Sequence, residues 1–438
     1  MENPQLSLPE FPLNADQQAA ADGFFAFLFS KDKELRISGP GGVGKTYLMG
    51  YLIDRIMQQY FDACKLAGIE PEYFDVYMTA TTNKAAEVLG QNTGRPTSTV
   101  HSQMNLKVIE DFETGKARIT KTKQWEIHQG IILFVDEASM VDRKLLEFIR
   151  EGTMKSKIVY VGDKCQLAPV GEEVSQVYSD PMPSFDLTIP MRNAGQPALQ
   201  AICNQFRNTV ETQQWNPIQL VPGVIDWLDA EQMEEEVTRL FADPLYNARI
   251  LTYTNRQAIA YNQFIRDVRG LPGQFQAGEY VVNNSAVRIG KVQLSVEDEV
   301  YIRHLSSIDE EYEIVTGASL TIRRAELETT RGEILHDVKI VQDRDHYTQL
   351  IKYFAKCKNW ERYFFLKGNF PDLRQRDACT TYKAQGSTMH TTYIDLTDFS
   401  QIRHPAQAAR SMYVAVSRPT DRIVFFGELA PKYGELIL

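Results

Sequence analysis

The chain has 438 residues with a formal net charge of −10. A single hydrophobic core rarely serves that many residues, so roughly two to four domains are expected. A hydrophobic share of 43% with 24% charged residues is ordinary for a soluble globular protein, and no apolar stretch approaches the ~20 residues of a membrane helix. The acidic balance argues against a protein that coats nucleic acid by bulk electrostatics, but it leaves room for a narrow basic channel. Five widely spaced cysteines without a CxxC pair argue against disulfides and zinc, and the start MENPQLSLPEF lacks a basic region followed by an apolar one. A cytoplasmic location without processing is therefore expected.

In chain order, the first strong signal is an apolar stretch, Leu35 to Ser38, followed by Gly39-Pro40-Gly41-Gly42-Val43-Gly44-Lys45-Thr46. Leu48, Leu52, Ile56 and Tyr60 then recur at helical spacing. Strand, glycine-rich loop and helix together read as a phosphate-binding loop. Backbone N–H groups curl around a polyphosphate, Lys45 reaches the outer phosphates, and the Thr46 hydroxyl ligates the accompanying Mg²⁺. Further apolar stretches, Asp75–Ala80, Ile131–Val135 and Ile158–Val161, read as buried strands of a parallel sheet. The stretch Ile131–Val135 delivers Asp136 and Glu137 to its C-terminal end, where open α/β sheets bind ligands. Asp136 then holds Mg²⁺, mostly through water, and Glu137 orients or deprotonates the water that attacks the γ-phosphate. An Asp-Glu pair alone begins many solvated helices; its place after a strand, downstream of a phosphate loop, favours chemistry. Gln166 lies in Val161-Gly162-Asp163-Lys164-Cys165-Gln166-Leu167-Ala168-Pro169-Val170, again at a strand end. There it can contact the γ-phosphate, although in isolation it would be an ordinary turn residue.

A second α/β set starts near Arg249–Tyr253 and resumes with Tyr393–Leu396 and Ile423–Phe426. Between them, from about Asn283 to Asp345, the pattern turns to short β-rich stretches (Val300–Ile302, Ser319–Ile322, Ile334–Val341), and a helical segment follows around Tyr347–Phe365. Glu234-Glu235-Glu236 and Asp309-Glu310-Glu311 read as solvated faces.

Taken together, Gly39–Thr46, Asp136-Glu137-Ala138-Ser139, Gly162 to Pro169 and Tyr413-Val414-Ala415-Val416-Ser417-Arg418 resemble the superfamily 1 helicases. Within them the chain is similar to the RecD-like superfamily 1B branch, and especially to its Dda-like phage members. The resemblance spans nearly the whole chain. It includes Leu13-Asn14-Ala15-Asp16-Gln17, Thr81-Thr82-Asn83-Lys84-Ala85-Ala86, Ser98-Thr99-Val100-His101-Ser102, Leu187-Thr188-Ile189-Pro190-Met191-Arg192 and Thr381-Tyr382-Lys383-Ala384-Gln385-Gly386-Ser387.

The resemblance implies two RecA-like parallel-sheet domains with a small β-hairpin pin and an SH3-like all-β insertion. The first domain would cover 1–186, with the pin inserted at about 104–128. The second would cover 187–282 and 372–438, with the accessory insertion at 283–371. It also implies a 5′→3′ single-stranded DNA translocase and helicase, using ATP and Mg²⁺, in phage replication or recombination. Gln17 would read adenine, and Gln385 and Gly386 would belong to the nucleotide site. Arg192 and Arg418, from the second domain, would place positive charge against the transferred phosphoryl group. ATP would close the two domains and hydrolysis would release them. Thr82, Asn83, His101 and Ser102 would contact the strand in the first domain, and Thr381, Tyr382 and Lys383 in the second. His101 reads equally as a packed, hydrogen-bonding residue. Relatives commonly have histidine where this chain has Tyr382, and often an Asn-Gly pair where it has Ser295 to Glu299. The expected partners are single-stranded DNA, forked or tailed duplexes, and a single-strand-binding protein or replisome components; a monomer without membrane contact is expected.

The segment from Val108 to Ile119 carries Glu113-Thr114-Gly115-Lys116 as a hairpin turn between short alternating strands. Its position matches the family's pin, and Phe112 is the candidate for stacking on the separating base pair. The competing reading is a surface hairpin whose Phe packs on its own strand. Two other functions remain open at this point. One is a translocating ATPase that remodels nucleoprotein or acts on RNA without unwinding DNA. The other is a nucleotide switch such as a GTPase, which is disfavoured because Asn83-Lys84 is followed by Ala85-Ala86 rather than by a guanine-reading aspartate.

Overall fold

In a computed structural model of the chain, residues 12–111, 116–169, 171–189, 191, 196–290, 292–296, 298–330 and 332–437 are described. They form two compact units, Met1–Trp215 with His404–Ser417, and Asn216–Arg403 with Arg418–Leu438.

Six strands build the main sheet of the first unit: β1 (Glu34–Ser38), β2 (Asp75–Ala80), β3 (Thr97–Thr99), β4 (Ile131–Asp136), β5 (Lys157–Gly162) and β6 (Ser184–Asp186). They pair in parallel in the order β6-β1-β5-β4-β2-β3. β4 is a continuous apolar run because both of its faces are covered. Ile132 and Phe134 enter one core with Phe24, Leu48, Val159 and Val161, whereas Leu133 and Val135 enter the other with Val100, Leu145, Ile149 and Tyr160. This alternation is the period of two expected of a strand. Leu48, Leu52, Ile56 and Tyr60 are all buried, as their spacing predicts, on a helical run from Lys45 to Ala67 that widens to π geometry over Leu52–Ile56.

The hairpin is present: Leu106–Asp111 pairs antiparallel with Lys116–Lys121, in register from Leu106↔Lys121 to Asp111↔Lys116. Its base is seated where Leu106 and Ile119 join the core around Met104 and Phe148, and Lys121 Nζ lies 4.5 Å above the Trp125 ring. Phe112 and the turn 113–115 lie outside the described residues.

In the second unit, five parallel strands run in the order Ile225–Leu228, Pro419–Phe426, Met389–Asp395, Ala248–Thr252 and Ala378–Thr380. An antiparallel sheet of Tyr280–Asn283, Glu299–Leu305, Glu310–Val315, Ala318–Thr329, Ile334–Val341 and Leu373–Gln375 has its own core of Val281, Val300, Ile302, Leu327, Leu335 and Ile340. The predicted α/β class with an all-β insertion is thus what the chain adopts. The single helical segment expected near Tyr347–Phe365 is instead two helices, Arg344–Lys356 and Trp360–Asn369. Lys358 takes a left-handed φ of 55° between them, and the Asn359 side chain caps the second by accepting from the Arg362 N–H. Packing also divides the chain differently from the motifs. Residues 187–215 and 404–417 belong to the first unit, because helix Pro197–Thr212 lies against helix Pro405–Val416, where Cys203 Sγ meets the Val416 carbonyl at 3.2 Å. Among the described residues no helix is long and apolar enough to cross a membrane.

Candidate nucleotide site and strand-binding edge

The phosphate loop follows β1 and ends at Gly44, whose φ of 79° caps helix Lys45–Tyr51. A side chain at Gly44 would strain that backbone, and its Cβ would fall 2.6 Å from Gln17 Nε2. Lys45 Nζ lies inside the loop, donating to the Gly39 and Pro40 carbonyls at 2.8 and 2.9 Å. Gln17, expected at the adenine, is fully buried and holds the loop from outside. Its Nε2 donates to the Val43 carbonyl (3.1 Å), and its Oε1 accepts from the Asn14 N–H (3.1 Å) in the capping box of helix Ala15–Phe29.

Sequence reading missed the neighbouring Asp16. Its carboxylate accepts from the Thr188 N–H and hydroxyl, both at 2.7 Å, and from the Ile189 N–H at 3.2 Å, which lowers its pKa. The Met191 N–H donates to the Gly42 carbonyl at 2.8 Å. The segment leading to Arg192 is therefore laid along the phosphate loop of the first unit, whereas the motifs had assigned it to the second domain. Arg192 itself lies outside the described residues. The only sequence signal for this clamp is an aspartate beside Gln17.

Asp136 ends β4, and the next residue, Glu137, is forced into left-handed backbone with φ 53°. A non-glycine residue held there is uncommon, and such strain concentrates at functional sites. Burial and then the adjacent Glu137 charge push the Asp136 carboxyl up to about 7, against the Glu137 N–H and Lys45, which favour its ionised form. Glu137 Oε2 is buried without a hydrogen-bond partner among the described residues. A crowded acidic pair beside a lysine in a phosphate loop is a site that favours cationic and N–H partners.

β5 continues into the Gln166 loop past Gly162, where a Cβ would come within 2.9 Å of the Ala138 N. Gln166 is 4% exposed, and its Oε1 is a second buried acceptor without a partner among the described residues. Lys45, Asp136, Glu137 and Gln166 thus sit at the C-terminal ends of three adjacent strands, β1, β4 and β5.

The same sheet edge continues to β2 and β3. Thr82 caps helix Asn83–Thr93, accepting from the Ala85 N–H at 3.2 Å, and both Thr82 and Asn83 are exposed. His101 and the exposed Ser102 follow β3 on a short helix capped by Thr99. Burial lowers the His101 pKa, with the Asp142 charge opposing. These four residues come together at the ends of two paired strands.

In the second unit, Thr381 is fully buried, and its hydroxyl has no hydrogen-bond partner among the described residues. Tyr382 is half-buried, and Lys383 Nζ donates to Asn284 Oδ1 at 2.5 Å. Gln385 and Gly386 follow the short helix Thr381–Ala384, Gly386 with φ 80°. Arg418 is buried, with Nη1 donating to the Ser387 carbonyl at 3.3 Å.

Residues 12–216 match a protein-family model described as an AAA domain. The chain is 22% identical over 433 residues to the ATP-dependent DNA helicase dda of Enterobacteria phage T4, covering 89% of this chain and 93% of that one. In fold it is similar to the Pif1 helicase of Candida albicans (TM-score 0.51, 16% identity, 97% of each chain). It is also similar to a Pif1 structure concerned with DNA unwinding at forked duplexes by two coordinating copies (TM-score 0.54, 14% identity, 98% of this chain and 95% of that one). The first half of the chain thus matches an AAA domain, nearly its whole length is similar to an ATP-dependent DNA helicase, and its fold is similar to that of Pif1 helicases.

Proposed function

We infer that this protein is an ATP-dependent DNA helicase that moves 5′→3′ along one strand and separates duplex DNA ahead of it. One observation carries the reading: a single parallel sheet presents a phosphate-loop lysine, two carboxylates and Gln166 at three strand ends, and exposed polar residues, Thr82, Asn83 and Ser102, at the next two. ATP chemistry and strand contact then share one rigid scaffold.

The donor set fits a divalent cation with a polyphosphate, since Glu137 Oε2 and Gln166 Oε1 are buried acceptors without partners among the described residues and the Asp136 carboxyl is raised by burial and then by the Glu137 charge. Thr46 and Asp136 would hold Mg²⁺, which when bound neutralises phosphate charge and polarises the γ-phosphoryl group. Lys45 and the N–H groups at the start of helix Lys45–Tyr51 hold the outer phosphates. Glu137 accepts the proton of the attacking water, and its fixed backbone aims that carboxylate. Gln166 senses the γ-phosphate. Arg192 and Arg418 supply the further positive charge that the transition state draws on. Strand contact at Thr82, Asn83, His101 and Ser102, alternating with contact around Tyr382 and Lys383, gives movement without reading bases.

Polarity and unwinding are tested together on matched duplexes bearing a 5′ or a 3′ single-stranded tail. Opening of the 5′-tailed duplex alone is expected. Preference for the 3′ tail overturns the polarity. DNA-stimulated hydrolysis with neither duplex opened favours the translocase that remodels nucleoprotein. For the pin, Phe112→Ala is expected to reduce unwinding about tenfold while leaving DNA-stimulated ATP hydrolysis near wild type, on the scale of one lost base–aromatic stack. Equal losses in both would discredit the wedge.

A further inference from the structure

The Gln166 loop is gripped from behind by two helices that the nucleotide motifs leave unexplained. Asp163, which opens the loop, is fully enclosed. Its Oδ1 accepts from the Cys165 N–H (3.0 Å) and from Arg207 Nη1 (2.7 Å), and its Oδ2 accepts from the Tyr413 hydroxyl (2.6 Å). Arg410 Nη1 donates to the carbonyls of Lys164 (2.5 Å) and Gln166 (2.7 Å). Arg207 comes from helix Pro197–Thr212, and Arg410 and Tyr413 from helix Pro405–Val416, all within the first unit. The backbone on which Gln166 turns is therefore bonded on both sides of Cys165 to one guanidinium. The Gln166 side-chain oxygen has no partner of its own among the described residues, so the backbone sets where it points. The first of these helices begins shortly after Arg192 in sequence, and the second ends at Val416, two residues before Arg418.

We propose that Arg410 is a positioning residue for ATP hydrolysis: by clamping the Lys164 and Gln166 carbonyls it sets Gln166 toward the γ-phosphate, and it ties that setting to the helix whose chain continues into Arg418. The proposal rests on the helicase reading and adds to it a residue that does not touch nucleotide. Arginine is the side chain suited to this, because the rigid plane of the guanidinium fixes the two N–H bonds of Nη1 toward the two carbonyls, whereas a lysine ammonium is a mobile point charge. Asp163, with Arg207 and Tyr413, locks the same helix pair to the start of the loop. A purely structural role would predict something different: loss of stability, and effects independent of Gln166.

The test compares Arg410→Lys, Gln166→Ala and the double variant in the full chain, measuring single-strand-stimulated kcat, nucleotide Kd and Tm. Arg410→Lys is expected to lower kcat about tenfold, with Kd within about twofold of wild type, and the double variant is expected to be no slower than Gln166→Ala alone. An unchanged kcat in Arg410→Lys, or losses that multiply in the double variant, overturn the proposal. Should Arg410→Lys melt early, Tyr413→Phe removes only the hydroxyl on Asp163 and is expected to show the same non-additivity with Gln166→Ala; multiplied losses there overturn it equally. A wild-type chain without DNA-stimulated ATP hydrolysis would instead overturn the helicase reading, and this proposal with it.

Discussion

Glu137→Gln binds ATP with near wild-type affinity while steady-state hydrolysis falls by about 10²–10⁴-fold, the range of a lost general base. Glutamine keeps the size and the hydrogen-bonding oxygen of Glu137 but cannot take a proton from water. The left-handed backbone at φ 53° is retained because the side chain changes only beyond Cγ. It also removes the Glu137 charge that crowds Asp136, so nucleotide binding is relieved of repulsion rather than weakened. Lys45→Ala behaves differently. Its Nζ, held against the Gly39 and Pro40 carbonyls, is the cation of the loop, and without it nucleotide affinity, hydrolysis and unwinding are all lost. Nucleotide binding by fluorescence titration and turnover under saturating single-stranded DNA separate the two variants. Normal turnover in either would remove this site from the reaction.

Arg266→Met destabilises the second unit by about 3–5 kcal/mol, the usual cost of leaving one partner of a buried ion pair alone. Arg266 is 1% exposed. It pairs with Glu279, donates to the Pro272 and Gln274 carbonyls, and lies 5.4 Å from the Phe275 ring centroid. Burial raises the Glu279 pKa, with Arg266 as the largest opposing influence, so removing the arginine raises it further. A carboxyl whose folded pKa is raised favours folding most below its unfolded pKa of about 4.3, and that contribution is lost as pH rises through the folded value. The deficit of the variant is therefore largest near neutral pH and narrows as acid protonates Glu279. Calorimetric melting across that range checks both size and sign. A deficit that stays constant with pH would show that lost packing, not the stranded carboxylate, dominates.

The nucleotide site was legible from the chain because its chemistry is local. Gly39–Thr46 needs glycines at consecutive turns, and Asp136-Glu137 needs only an apolar strand before it, so spacing along the sequence is nearly spacing in space. The hairpin at 106–121 was legible for the same reason, as was the buried run 131–135 covered on both faces. What escaped was contact between distant segments. Asp16 with Thr188, Gln17 with Val43, and Arg207, Arg410 and Tyr413 around Asp163 and Gln166 are pairings across large sequence separations. Each is an ordinary residue on an ordinary helix. Gln17 shows the difficulty from the other side: its motif pointed to a base, whereas its amide is engaged by the loop carbonyl and the helix cap.

Residue order and periodicity were enough to establish two parallel-sheet α/β sets, the all-β stretch between them, and the phosphate loop with its carboxylates, since hydrophobic period and loop chemistry act over a few residues. Folding in three dimensions settled which unit holds 187–215 and 404–417, what supports the Gln166 loop, and which polar groups of the site remain buried without partners among the described residues. These depend on packing free energies and hydrogen-bond pairings summed over segments far apart in the chain, and no local pattern encodes them.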